Sequence, residues 1–241
     1  MDIAFPRIEP AIEQFLFAQG SRRSLPVARI RLGGVPRGAV IVLCDTGALE
    51  RDAAGIMNGL VEHGYESVAV DLSPTADVDG AGVHVPSERE LLDDVAVLLG
   101  GWVERGWSAE QVGLVGNGFG GRVALLAAAE FELGAAVSVV PSEVVPLSPR
   151  TPWLGLLAGQ DQAASPDDVK RLRARLHDAP VYTELVTYPG VAGDFHFQSR
   201  ETTAHAAAFD AWQRTVEWLD RRVVPRPTPL AREWRRRSES A

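Results

Sequence analysis

The chain has 241 residues, 46% of them hydrophobic and 23% charged, a size and balance at which an α/β domain buries one large core. A net charge of −8 argues against a general nucleic-acid binder, and no apolar run approaches the roughly 20 residues of a membrane span. The opening Met1-Asp2-Ile3-Ala4-Phe5-Pro6 lacks a basic region followed by an apolar core, so the expected compartment is the cytoplasm. Cys44 is the only cysteine, which excludes an internal disulfide and a multi-cysteine metal site. Lys170 is the only lysine, leaving little scope for Schiff-base chemistry.

In chain order, Ile8–Ala18 comes first. Ile8, Ile12, Phe15 and Leu16 fall close to one helical face, so residues 1–26 read as an N-terminal helical extension packed on the body. Ala39–Cys44, Ser67–Asp71, Val112–Val115, Ala135–Val140, Trp153–Ala158 and Tyr182–Thr187 are short apolar or β-branched runs, several leading into helical periodicity. The fold class expected from this alternation is α/β, with a mostly parallel central sheet and helices on both faces. Ser87 and Glu90 form a capping box ahead of Leu91, Val95, Leu98 and Trp102, which share one face. Ser165-Pro166-Asp167-Asp168 caps a helix presenting Val169, Leu172 and Leu176. Phe209, Trp212, Val216, Leu219 and Val223 make a last apolar stripe, read as core. Residues 1–223 are therefore expected to form a single domain. Pro225-Arg226-Pro227-Thr228-Pro229 then ends the last helix, and residues 224–241 read as a mobile Pro/Arg-rich tail carrying Arg235-Arg236-Arg237.

The most informative segment is the apolar strand Val112–Val115 running through Gly116-Asn117-Gly118-Phe119-Gly120-Gly121 into the helical stretch Val123–Ala129. Strand, sharp turn and helix in this order match a nucleophile elbow, G-x-(Ser or Cys)-x-G, with Gly118 in the nucleophile's place. Glycine carries no group that can attack a substrate. Gly116-x-Gly118-x-x-Gly121 also satisfies the dinucleotide-binding fingerprint, with Glu143 22 residues past Gly121, which keeps an NAD(P)-binding protein as an alternative. Against it, at least two strands precede the motif, whereas the fingerprint ordinarily opens its own domain.

From about Ala39 to Val223 the chain resembles the dienelactone hydrolase family of α/β-hydrolases. The resembling stretches are Ile41-Val42-Leu43-Cys44-Asp45-Thr46-Gly47, the Leu91-Leu92-Asp93-Asp94-Val95 helix, Val112–Ala129, Leu156–Val169, and Tyr188-Pro189-Gly190 through Phe195-His196. The resemblance implies an α/β-hydrolase fold and a carboxylic ester or lactone hydrolase ancestry, with no cofactor and no metal. It places the nucleophile, a cysteine in the founding enzymes, on Gly118, and the acid that orients the catalytic base on Asp161. Where the family commonly reads Tyr-Pro-Gly-Ala-Gly-His-Gly-Phe-His, this chain reads Tyr188-Pro189-Gly190-Val191-Ala192-Gly193-Asp194-Phe195-His196. Without a gap the catalytic histidine falls on Gly193; with one inserted residue it falls on Asp194.

Acyl transfer needs an activated nucleophile and a base within hydrogen-bond reach, so these two losses disable the ordinary reaction. An oxyanion site built from backbone N–H groups at the start of the elbow helix and from the loop after the Ala39–Cys44 strand could survive, ready for a carbonyl oxygen or an anion. Cys44, Asp45 and Thr46 follow a strand at the carboxyl edge of the sheet, where open α/β folds bind ligands, and the family places an acid beside the nucleophile at the Asp45 position. Asn117, Phe119, His84 and Arg122 complete the candidate ligand site, although a carboxylate partner is the ordinary role of Arg122. Cys44 reads as a small buried hydrophobe rather than a reactive thiol. His196 is the candidate displaced base. His63, His177 and His205 have no chemical context, and the five histidines form no metal-ligand spacing. The expected function is a non-hydrolytic pseudoenzyme that binds a small carbonyl- or carboxylate-bearing molecule, with no nucleic-acid or membrane partner and homo-oligomerisation left open. The alternatives are a rebuilt-site cyclase, isomerase or lyase, and a hydrolase with an unusual nucleophile.

Overall fold

Burial on both sides is what the apolar runs require, and they obtain it as the middle of one sheet. The computed structural model describes residues 7–17, 24–76, 82–161, 164–193 and 202–239. The elements are β1 (Ala11–Leu16), β2 (Ser24–Ile30), β3 (Gly38–Leu43), α1 (Leu49–Glu62), β4 (Tyr65–Val70), a small hairpin of β5 (Thr75–Ala76) and β6 (Val83–His84), and α2 (Glu88–Glu104). There follow β7 (Val112–Asn117), α3 (Phe119–Glu130), β8 (Ala135–Val139), β9 (Trp153–Ala158), α4 (Pro166–His177), β10 (Thr183–Tyr188), α5 (Thr202–Arg222) and α6 (Pro229–Glu239). Eight strands make one sheet in the order β1-β2-β4-β3-β7-β8-β9-β10, in which β3, β4 and β7 to β10 run parallel and β1 and β2 pair antiparallel.

The pleat splits each central strand between two cores. Ile41, Leu43 and Leu114 face α2, α3 and α4, joining Leu91, Val95, Leu98, Val123 and Leu172. Val40, Val42, Val115 and Val137 face α1 and α5, joining Ala53, Met57, Ala211 and Leu219. The helix signals hold where they were expected. Ser87 Oγ accepts from Glu90 N–H, and Glu90 Oε2 accepts from Ser87 N–H at 2.9 Å, while Ser165 caps α4 by accepting from Asp168 N–H at 3.1 Å.

Three expectations need correction. The N-terminal stretch is a strand, not a helix: Ala11–Leu16 pairs with β2, and Glu13 meets Arg29 across the pair at 3.1 Å. Six residues are too few to hold an isolated helix, and an antiparallel neighbour satisfies their backbone directly. The segment after α5 is tied to the body at its start. The Arg226 guanidinium lies 3.7 Å from the centre of the Trp107 ring and donates to Gly106 O at 2.6 Å, and Val224 N–H donates to Glu110 O at 2.8 Å. Pro229–Glu239 beyond it is helical. Finally, Phe209 is exposed, whereas Val216, Leu219 and Val223 of the same stripe are buried.

Candidate functional site

The carboxyl ends of β3, β7 and β9 bring the turn residues together. At the end of β7 the chain reverses into α3 through Gly118, whose φ of 54° and ψ of −118° lie in a region that side chains of L-residues rarely adopt. Crowding demands two of the neighbouring glycines. A Cβ on residue 116 would lie 2.1 Å from Gly120 O, and one on residue 120 would lie 2.0 Å from Leu43 O. Gly121 packs against the end of β8, where a Cβ would stand 3.0 Å from Val139 O. Gly118 itself is held by its N–H donating to Val139 O at 3.0 Å and its carbonyl accepting from Ser142 N–H at 2.9 Å. These approaches account for the glycine pattern without a dinucleotide. Glu143, the acid of that alternative reading, instead accepts from Arg122 Nε at 2.7 Å.

Asp45 reaches the elbow from the β3 loop. Its Oδ1 accepts from Phe119 N–H at 2.9 Å. A Cβ on residue 118 would stand 2.2 Å from Asp45 Cγ, 2.3 Å from Oδ1 and 2.5 Å from Oδ2, so the carboxylate occupies the volume a side chain at 118 would need. The loop is braced: Ala48 N–H donates to Asp45 O at 3.0 Å, and Gly47 N–H donates to Asp71 Oδ2 at 2.7 Å. Of the donors expected for an oxyanion site, the Phe119 N–H therefore already serves an internal anion. Thr46 lies exposed on the same loop. Cys44 is buried, and burial, reinforced by Asp71, Asp52 and Asp45, pushes its thiol up to about 12, so it is no thiolate at neutral pH.

The second turn lies past β9. Gly159 N–H donates to Tyr188 O at 2.8 Å and Gln160 N–H to Val191 O at 3.0 Å, which ties the loop carrying Asp161 to the loop carrying Gly193. A Cβ on residue 193 would stand 3.2 Å from Asp161 Cγ and Oδ2. Asp161 and Gly193 are thus neighbours across the two loops. Asp194 and His196 lie outside the described residues. Two further candidates have partners of their own. Arg122 donates to Glu88 at 2.8 Å as well as to Glu143, and His84 Nε2 on β6 is 3.5 Å from Glu90 Oε1. The Arg122 guanidinium is thus bridged between two carboxylates, the ordinary role expected of it beside that of ligand binder. Asn117 ends β7 half-buried, with no hydrogen bond to its side chain among the described residues, facing a cavity between α1 and α5. That cavity escaped the sequence reading, although two glycines inside one 14-residue helix, Gly55 and Gly59, were a legible signal.

Comparison with known proteins agrees with this architecture. Residues 31–223 match the family model described as the dienelactone hydrolase family. An Escherichia coli K12 protein named "Putative carboxymethylenebutenolidase" is 28% identical over 230 residues, covering 84% of this chain and 83% of that protein. Among solved structures, a "Putative Dienelactone Hydrolase" from Klebsiella pneumoniae is similar with a TM-score of 0.70 at 22% identity, over 88% of this chain and 98% of that one. An esterase of Thermogutta terrifontis, Est2, is similar with a TM-score of 0.68 at 13% identity, over 90% of this chain and 96% of that one; these two likenesses speak for the fold alone. With a mostly parallel eight-stranded sheet, the elbow turn and a family match across most of its length, the chain belongs to the dienelactone hydrolase family.

Proposed function

We propose that this family member is a non-hydrolytic, small-molecule-binding protein, in which Gly118 stands at the nucleophile position, Gly193 at the base position and Asp161 at the retained acid position. The observation that carries the reading is the Asp45 carboxylate lodged in the volume of a residue-118 side chain and bonded to Phe119 N–H. A carboxylate there repels the negative charge that develops on a carbonyl oxygen and takes up a backbone donor that would stabilise it. Among the described residues beside the elbow, no hydroxyl or ionised thiol takes the nucleophile's place. Cys44 is held protonated by burial, and the position beside Asp161 that the ungapped register gives to the base holds Gly193, which carries no imidazole.

The names of the relatives speak for ester or lactone hydrolysis in those proteins, so the test must include that chemistry. The native protein is assayed on 4-nitrophenyl acetate and on a five-membered enol lactone, with intact-mass analysis after treatment with an acylating probe. The expected result is turnover at the buffer rate and an unshifted mass. A stoichiometric acyl adduct on Asp45 or Cys44 accompanied by turnover would overturn the proposal.

A second reading has one observation in its favour. Asp45 Oδ2 accepts no hydrogen bond among the described residues, so the carboxylate retains an oxygen free to act as an acid or base in an isomerase, cyclase or lyase. Proton exchange at the α-carbon of a small ketone, lost in Asp45→Asn, would favour that reading over simple binding.

A further inference from the structure

The large apolar side chains of α6 stand in the open: Leu230 is 76% and Trp234 69% exposed. Four positions apart, they share one helical face. A helix of 11 residues is marginal in water without packing such a face, so α6 calls for a surface to lie on. Its link to the body is pinned and stiff. Val224 N–H donates to Glu110 O at 2.8 Å, Arg226 N–H donates to Arg37 O at 2.9 Å, and Pro225, Pro227 and Pro229 fix φ at every second position. A link of this kind acts as a spacer that carries the helix outward rather than as a hinge that folds it back.

A matching surface begins where that link is tied. Ala109, next to Glu110, helps to line a pocket of about 160 Å³ whose walls are Leu99, Val103, Val112, Phe131 and Leu133. This is below the roughly 300–1,000 Å³ of small-molecule sites and suits one large anchoring side chain. Val103, in its wall, is 62% exposed. The surroundings are acidic. Glu132 lines the pocket, and Glu104, Glu110 and Glu130, the chain neighbours of Val103, Ala109 and Phe131, are exposed and have no ion-pair partner among the described residues. The helix has the opposite balance, four arginines to two glutamates, in a chain of net charge −8.

We infer that α6 is an arm for a second copy of this chain, its Trp234 entering the partner's pocket of this kind while the pocket beside Val103 here receives Trp234 of the partner subunit. The indole fills the apolar walls, and the arginine-rich helix lies among the glutamates. Because each arm leaves the body beside its own pocket, a two-fold axis there lets two short arms cross and makes both contacts at once. An anionic membrane suits the helix alone but not the molecule, whose net charge of −8 it repels.

The experiment follows the full chain by sedimentation velocity over a wide concentration range, at low and high salt, with Tm recorded for every variant. A monomer–dimer equilibrium is expected, weakened by salt because charges meet across the contact. Trp234→Ala in the arm and Val103→Arg in the pocket are each expected to raise the dimer Kd by about tenfold or more without unfolding the chain. Glu110→Arg, at an exposed position beside the pocket, serves as a second pocket variant should Val103→Arg fail to fold. The decisive measurement mixes the two: Trp234→Ala protein keeps a sound pocket and Val103→Arg protein a sound arm, so mixed dimers are expected to form more tightly than dimers of either alone. A native protein that stays monomeric overturns the inference, and its co-sedimentation with phosphatidylserine vesicles would assign the helix to a membrane instead. A mixture no tighter than its components also overturns it, the result for an arm that folds onto its own pocket. So does a dimer lost in Trp234→Ala but indifferent to both pocket variants, which would seat the arm elsewhere, as in the chamber between α1 and α5 that Trp212 lines.

Discussion

The two turns of the proposed site, one with Gly118 and one with Gly193, differ in what stands beside the glycine. At the elbow, the volume beside Gly118 has been refilled: Asp45 lies within 2.2–2.5 Å of where a Cβ would be, and it holds the Phe119 N–H. At the acid turn, the space beside Gly193 is less crowded among the described residues. Its nearest neighbour would be the Asp161 carboxyl at 3.2 Å, tight but able to give by a small rotation, and the glycine's backbone lies outside the left-handed region. A side chain at 118 would meet a filled volume and an unfavourable backbone, and one at 193 meets neither to that degree among the described residues. The lesson is that a missing catalytic residue says little until the volume it left is inspected, because a refilled volume changes what the remaining donors can bind.

That contrast dictates how function would have to be rebuilt, and this gives the largest expected effect. Gly118→Cys with Gly193→His should remain near background for ester hydrolysis, because Asp45 contests the thiol's position. Adding Asp45→Ala should raise turnover by about 10²–10³ over the parent, since triad members act as a unit. Turnover by the two-residue variant equal to that of the three-residue variant would break the comparison. The folding of each variant is checked first by thermal unfolding.

Stability should separate the turns next. Gly118→Cys alone is expected to lose about 1–3 kcal/mol from its backbone angles, and more from displacing the carboxylate, while Gly193→His loses about 1 kcal/mol or less. Urea unfolding of the two single variants measures the difference. A Gly193→His protein as unstable as Gly118→Cys would mean that the acid turn is also filled.

The smallest effect concerns the thiol beside the elbow. With its ionisation pushed up to about 12 from an ordinary value near 9.0, Cys44 should resist iodoacetamide at pH 8 in the native protein and react readily once unfolded. The same shift has a sign for stability. The folded state keeps a proton that the unfolded chain releases, so this contribution is intact below about pH 9 and declines as pH rises toward about 12. Fast native-state alkylation would return Cys44 to the list of nucleophiles.

How far these features could be read in advance depends on how local their causes are. The central strands were legible because β3, β4, β8 and β9 are buried on both faces and so are mostly apolar, with Glu66, Ser67 and Ser138 the polar interruptions. The capping box of Ser87 and Glu90 and the elbow turn were legible because both are set by residues a few positions apart. Arg122 was legible as the partner of a carboxylate, though not which one. β1 was not, since its strand identity comes from pairing with β2 and its short pattern fits a helix equally well. The Asp45 contact joins residues 74 apart across two strand ends, and the chamber at Trp212 joins α1 to α5. Such relations arise only when the sheet is assembled.

The central claim, that Asp45 occupies the place of the absent residue-118 side chain, is tested most directly by a double-mutant cycle on folding stability with Gly118→Ala and Asp45→Ala. Backbone strain at residue 118 is common to both backgrounds and cancels, leaving the clash between the new methyl group and the carboxylate. The account predicts that Gly118→Ala costs at least about 1 kcal/mol more when Asp45 is present than when it is alanine. Additivity within about 0.5 kcal/mol would contradict it, because an alanine that does not register the Asp45 carboxylate is not competing with it for the same space.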